Sequence, residues 1–197
     1  MSFCLRFICL GLCALAAAPA SAAAAELIQN GQFEDPPDVG WRYRTWGDFP
    51  DTANCRLAWR HEHDPDRDFE ILLHKMLHQG AELSQLVELP TLDAVFSITC
   101  RLTSKTELES LYAAAAICLQ YIDRHDSTLG ETRIFSATSG CDWANSGRLH
   151  LIRATDSLSW HRYSFVLRDE LANLPAVDPD SVRYVRVALL SFVLGNC

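Results

Sequence analysis

Several chemistries are missing from this sequence. It has no G-x-S-x-G elbow to expose a serine nucleophile and no G-x-x-x-x-G-K-[ST] loop to cradle phosphates. None of its seven histidines takes the H-E-x-x-H spacing of a zinc protease, and no C-x-x-C occurs to suggest a zinc ribbon or a redox dithiol. Heptads, internal repeats and low-complexity tracts are absent after residue 25, which removes coiled coils and solenoids. Positive charge is scarce: 17 Lys and Arg stand against 25 Asp and Glu, a formal net charge of −8. Bulk charge of that sign disfavours nucleic acid or anionic lipid as a partner and suits neutral ligands or cations.

The N-terminal 25 residues read as a secretory signal. Arg6 precedes an apolar run from Phe7 to about Ala18, and "PASAAAA" offers A-x-A cleavage options near Ala23 to Ala25. The run is shorter than the roughly 20 residues a membrane span needs, and no second one follows. The expectation is an exported protein with no membrane span after the signal is removed, and one domain over residues 26–197. All 25 acidic residues and 16 of the 17 basic ones lie beyond residue 25, for a net charge of −9.

Cys55, Cys100, Cys118, Cys141 and Cys197 remain after the leader. Export permits disulfides, but an odd number leaves one thiol over. Alternation puts Cys100 on the face of Phe96, Ile98 and Leu102, whereas Cys118 falls opposite Ile117, Leu119 and Tyr121, so those two are not expected to bridge. A pair between Cys141 and Cys197 stays open.

Short apolar runs of strand length dominate, among them "CRLAW", "FEILL", "ELSQLVEL", "AVFSITCRL", "AAAAICLQYI", "ETRIFSA", "RLHLIRA", "WHRYSFVLR" and "VRYVRVALLSFVL". Period-two alternation, as in Val185, Val187 and Leu189, predicts strands buried on one face, and turns such as "DPDRD" and "DSTLG" separate them. The fold class expected is all-β, an antiparallel sandwich or jelly roll. "RDELANLP" suits a single helical turn before Pro175, and "LTSKTELESLYAAAA" a loop feeding a strand.

The stretch "ELIQNGQFEDPPDVGW" opens the domain, "GAELSQLVELP" lies in the middle and "WHRYSFVLRDE" with "VRYVRVAL" comes late. In this order they resemble galactose-binding-like jelly rolls, and among them carbohydrate-binding modules of families four and nine. The resemblance implies a secreted, non-catalytic module that binds a polysaccharide or glycan. It also implies a structural calcium at Glu34, for which Asp66 and Asp68 are candidate further carboxylates. The family's usual last-strand aspartate run is not met before "LLSFVLGNC", so the sheet is expected to lack its last strand and to leave an open edge. A structural or adhesion domain of the cell envelope without a sugar ligand is the alternative.

In the opening stretch, Asn30-Gly31 is read as a tight turn that breaks a first strand, with Phe33 pointing into the core and Trp41 buried. Parity puts Ser97, Thr99, Arg101, Ala116, Cys118, Gln120, Arg162, Ser164, Tyr184 and Arg186 on non-core faces, a polar trough in which Arg101, Gln120 and Arg186 are candidate sugar contacts. Trp143 and Trp46 sit in polar, glycine-flanked segments where stacking on a sugar ring would explain them. Trp59 and Trp160 read as core residues. Acid pairs such as Asp64/Asp66 and Asp169/Glu170 do not by proximity provide the ~5–9.5 Å separation of glycosidase carboxylates, so no catalytic activity is expected.

Overall fold

A computed structural model of the chain describes residues 3–6, 26–47, 55–60, 70–75, 79–105, 111–156 and 158–195. The strands are β1 (Phe3–Arg6), β2 (Arg42–Gly47), β3 (Cys55–Arg60), β4 (Glu70–Lys75), β5 (Gln79–Glu88), β6 (Val95–Leu102), β7 (Leu111–Ile122), β8 (Thr128–Ala137), β9 (Leu149–Arg153), β10 (His161–Val166) and β11 (Tyr184–Gly195). A short helix α1 (Leu167–Leu171) follows β10. No helix among the described residues is long and apolar enough to cross a membrane.

The strands form a β-sandwich. One layer is a six-stranded sheet of order β2-β5-β11-β7-β8-β9; against it lie a three-stranded sheet, β1-β6-β10, and the hairpin β3-β4. All pairings are antiparallel except β8 with β9, which run parallel. Between the layers lie Leu83, Ile117, Leu119, Tyr121, Ile134, Val185, Val187 and Leu189 from the large sheet, and Ile71, Leu73, Phe96, Ile98, Cys100 and Leu102 from the small ones. Each fully buried Leu or Ile contributes about 1.5–3 kcal/mol, and a one-residue slip in any of these strands would turn its whole apolar row towards water.

The N-terminal loop is held by Asn30 rather than by Gly31. Asn30 takes the left-handed conformation (φ 50°), and its carboxamide donates to the carbonyls of Asp35 and Pro36 at 2.9 and 3.1 Å while accepting from the Asp35 N–H at 3.0 Å. The Asn30 carbonyl accepts from the Trp41 indole at 3.2 Å. Trp41 and Phe33 are both buried, with ring centroids 5.2 Å apart. Phe33 itself has φ 54°, a strained value for a bulky side chain that the burial of its ring offsets. Gln85, inside the "LSQLV" run, closes the arrangement: it exchanges hydrogen bonds with the Gln29 backbone (2.7 and 2.9 Å) and donates to the Gly40 carbonyl (2.8 Å). Residues 26–29 are not a strand, so the expected strand break is instead an irregular lead into this loop.

Other expectations are corrected here. The last described strand, β11, lies between β5 and β7, and the open edges of the large sheet among the described residues are β2 and β9. Strand β2 was not foreseen, because all six of its residues are exposed and no apolar alternation marks it. Cys100, Cys118 and Cys141 carry free thiols; Cys197, in the pair left open with Cys141, lies outside the described residues. Trp160 is half-buried and outside the core, with the Arg101 guanidinium 5.6 Å from its ring, and the side chain of Trp59 lies outside the described residues.

Candidate functional site

The outer face of the six-stranded sheet is where chemistry-bearing residues converge. Register places them in rows across the strands. One row runs Arg42, Ser84, Ala188, Cys118, Arg133, Leu151; the next runs Arg44, Glu82, Leu190, Ala116, Phe135, Arg153. Trp46 lies opposite Gly80, and Leu86, Arg186, Gln120 and Glu131 make a further row.

At the β2 edge, the Trp46 ring lies on Gly80. A Cβ at residue 80 would stand 2.1 Å from Trp46 Cε2 and 2.2 Å from Cζ2, so only glycine admits the ring. Trp46 remains 40% exposed, and the Arg44 guanidinium sits 5.5 Å from its centroid. Arg44 is itself fixed by Glu82 at 2.7 Å, and Glu82 accepts from the Ser84 hydroxyl at 2.8 Å. A flat ring seated on backbone and flanked by a braced cation is a rigid apolar platform that loses little entropy on contact.

Across the sheet, the loop between β8 and β9 lays Trp143 over Phe135, centroids 5.4 Å apart, with the Arg133 guanidinium 4.1 Å from the indole centroid. Arg133 donates to Glu131 at 2.6 Å; Gln120 donates to Glu131 at 3.4 Å and accepts from Arg186 at 3.2 Å. Burial works against the Arg133 charge, but the hydrogen bond it donates to Glu131 and the attraction of the Glu131 charge together outweigh burial, and the guanidinium is held more firmly protonated. Beneath these groups Ala116, Cys118 and Ala188 are fully buried, and burial pushes the Cys118 thiol well above its ordinary range. The floor is thus a filled apolar layer under long side chains, not the open polar trough expected from parity.

Gln120, Arg186, Trp143 and Trp46 therefore share one face, whereas Arg101 does not. Parity was right for Arg101, Ser97, Thr99, Arg162 and Ser164, but they belong to β6 and β10, on the outside of the opposite layer. The sequence reading missed Arg44, Glu82, Glu131, Arg133 and Phe135; parity was legible for all but Arg44, whose strand carries no alternation, and only the strand order puts them beside the tryptophans. The outer-face carboxylates Glu82 and Glu131 sit on strands β5 and β8, three strand spacings (~14 Å) apart across the sheet and a further four residues (~13 Å) apart along it.

Glu34 is exposed, and Asp66 and Asp68 lie outside the described residues. No group of three or more potential metal-ligating side chains occurs among the described residues. A different carboxylate, Glu170 on α1, is buried against the core: it accepts from Thr132 at 2.8 Å, from Asn173 at 3.2 Å and pairs with His150 Nδ1 at 2.5 Å. This network anchors α1 to β8 and β9.

No family model matches this sequence, and no curated protein does. Membership of the carbohydrate-binding modules is accordingly not shown; what holds is the β-rich fold. A solved structure similar to the chain is the enzymatically active domain of bacteriophage CBA120 tailspike protein 4, at 8% identity and a TM-score of 0.46. The match covers 88% of this chain but spans only a fifth (20%) of the tailspike chain. The expectation of no catalytic activity is corrected on this finding, since the similar chain is an enzymatically active domain. A likeness this distant carries no activity, substrate or site residue across.

Proposed function

We propose that the protein is an exported, glycan-interacting β-sandwich whose ligand lies across the outer face of the six-stranded sheet, between Trp46 at one edge and Trp143 over β8. The observation that supports this most is Trp46. A large ring left 40% exposed on an edge strand, but seated rigidly on the one residue type that admits it, fits a stacking surface better than it fits packing. Trp143 and the Arg186–Gln120–Glu131–Arg133 chain of hydrogen bonds supply a second ring and directional polar groups for hydroxyls.

Affinity gel electrophoresis against a polysaccharide panel tests the reading. Retention by at least one polysaccharide, weakened in Trp46→Ala and in Trp143→Ala but unchanged in Arg101→Ala, is the expected result. Retention untouched by both tryptophan substitutions would refute the site. Release of reducing ends from a retained polysaccharide would add an activity to the binding. Calcium at Glu34 is proposed from the resemblance alone; it requires a melting temperature that falls with chelator and ceases to respond in Glu34→Ala.

A further inference from the structure

The class of glycan follows from the charge layout of this face, an argument that rests on the proposal that a glycan binds there. The chain carries −8 overall. Yet the described residues of the outer face present five arginines, Arg42, Arg44, Arg133, Arg153 and Arg186, against three glutamates, Glu82, Glu88 and Glu131. Exposure acts both ways: Glu88 is exposed and the Arg133 side chain, paired with Glu131, is only 17% exposed, but the Arg44 pair favours the cation. The Arg44 side chain is 60% exposed and its partner Glu82 only 6%, so the carboxylate is turned into the sheet and the cation outward. Arg42 and Arg153 are exposed, and neither pairs with a carboxylate among the described residues. Arg153 lies instead over the Phe135 ring at 4.9 Å. Acids also stand at the margin: Asp126, on the turn after β7, is 3.7 Å from Arg186, and the exposed Asp142 flanks Trp143 in the loop over β8.

Strand order spreads these cations along a line. Arg42 and Arg44 stand on β2, Arg186 on β11, Arg133 on β8 and Arg153 on β9, so guanidinium groups recur over five strand spacings, ~24 Å of sheet. The tryptophans offer their rings to the apolar side of sugar rings. Neutral sugar hydroxyls do not call for a row of cations, whereas the planar guanidinium fork matches carboxylate or sulfate oxygens two at a time. We infer that this face takes an acidic polysaccharide, one that bears carboxylate or sulfate groups along its length. The bulk negative charge, which by itself favours neutral ligands, is not the balance that the strands of this face show among the described residues.

Affinity electrophoresis and titration calorimetry of the purified protein would use polygalacturonate, carrageenan, a soluble neutral β-glucan and polyglutamate, each at several salt concentrations. The expected result is retention by polygalacturonate or carrageenan, with affinity that falls as salt rises, and weak retention by the β-glucan and polyglutamate; which of the two acidic glycans binds identifies the anion. The paired variant Arg42→Gln with Arg153→Gln should lose about tenfold in affinity and show a shallower salt dependence. Both positions are exposed and neither pairs with a carboxylate among the described residues, so the melting temperature should fall by no more than the loss of the Arg153 contacts with Phe135 and Ala137 allows, a few degrees at most. Equal or tighter binding of the neutral glucan without salt dependence would overturn the acidic assignment and leave the glycan face standing. Equal retention by polyglutamate would overturn carbohydrate recognition in favour of charge alone. Binding to no polysaccharide at all would overturn both.

Discussion

Adding one methyl group at Gly80 should displace Trp46, and the size of the effect is set by geometry. The new Cβ would meet three ring atoms at 2.1, 2.2 and 2.6 Å. Carbon pairs settle at about 3.5–4.0 Å, so the ring must retreat by about 1.5 Å. Overpacking of this kind costs about 1–3 kcal/mol, and ~2 kcal/mol is reasonable for a ring that is partly exposed on an edge strand. Alanine also restricts the unfolded chain more than glycine, a gain of about 0.5 kcal/mol. Gly80→Ala alone should therefore destabilise by about 1.5 kcal/mol, whereas Gly80→Ala in a Trp46→Ala background should stabilise slightly, leaving a coupling of ~2 kcal/mol. Urea unfolding of the four proteins, followed by circular dichroism, measures that coupling. The same Gly80→Ala substitution should weaken glycan binding about as much as Trp46→Ala, on the order of tenfold if the stack is worth ~1.4 kcal/mol. A coupling below about 0.5 kcal/mol would mean that the ring does not rest on Gly80, and the platform would be lost with it.

Asn30→Ala should destabilise by about 3 kcal/mol, from lost carboxamide hydrogen bonds and a left-handed backbone without Asn or Gly, while Asn30→Gly should recover the backbone part, roughly 1 kcal/mol; equal losses in the two variants would contradict the φ argument. Glu170→Ala should cost about 3 kcal/mol, because His150 and Thr132 lose the buried carboxylate that pairs with them; chemical denaturation reads this directly, and a loss under 1 kcal/mol would contradict the anchor. Burial pushes the Cys100 thiol up to about 12 and raises Cys118 well above its usual range, while Cys141 is raised less and is only partly buried. Site-mapped alkylation of the folded protein at pH 8 should therefore modify Cys141 ahead of both, and rapid labelling of Cys118 would show that the outer face is open where the structure closes it.

The strand inventory was legible in the sequence because period-two alternation has one physical cause, burial of a single face. Val185, Val187 and Leu189, or Ile117, Leu119 and Tyr121, could not alternate as they do in a helix or a coil. The single helical turn at Leu167–Leu171 was legible for a similar local reason. Strand β2 was not, since an edge strand exposed along its length carries no such signal.

The site divides in the same way. Alternation placed Gln120, Arg186 and Arg101 away from the core, but the face of a residue is local and the neighbour of a strand is not. Nothing in the sequence says that β11 lies between β5 and β7, or that β6 belongs to the opposite layer. The sequence by itself determined which side chains turn outward, because that depends on each strand's own period. Only the tertiary structure decided which outward side chains meet, because strand order comes from pairing between segments as far apart as Arg44 and Glu82, or Gln120 and Arg186. That pairing gathers arginines on one face of an acidic chain and seats Trp46 on Gly80, neither of which any run of neighbouring residues reveals.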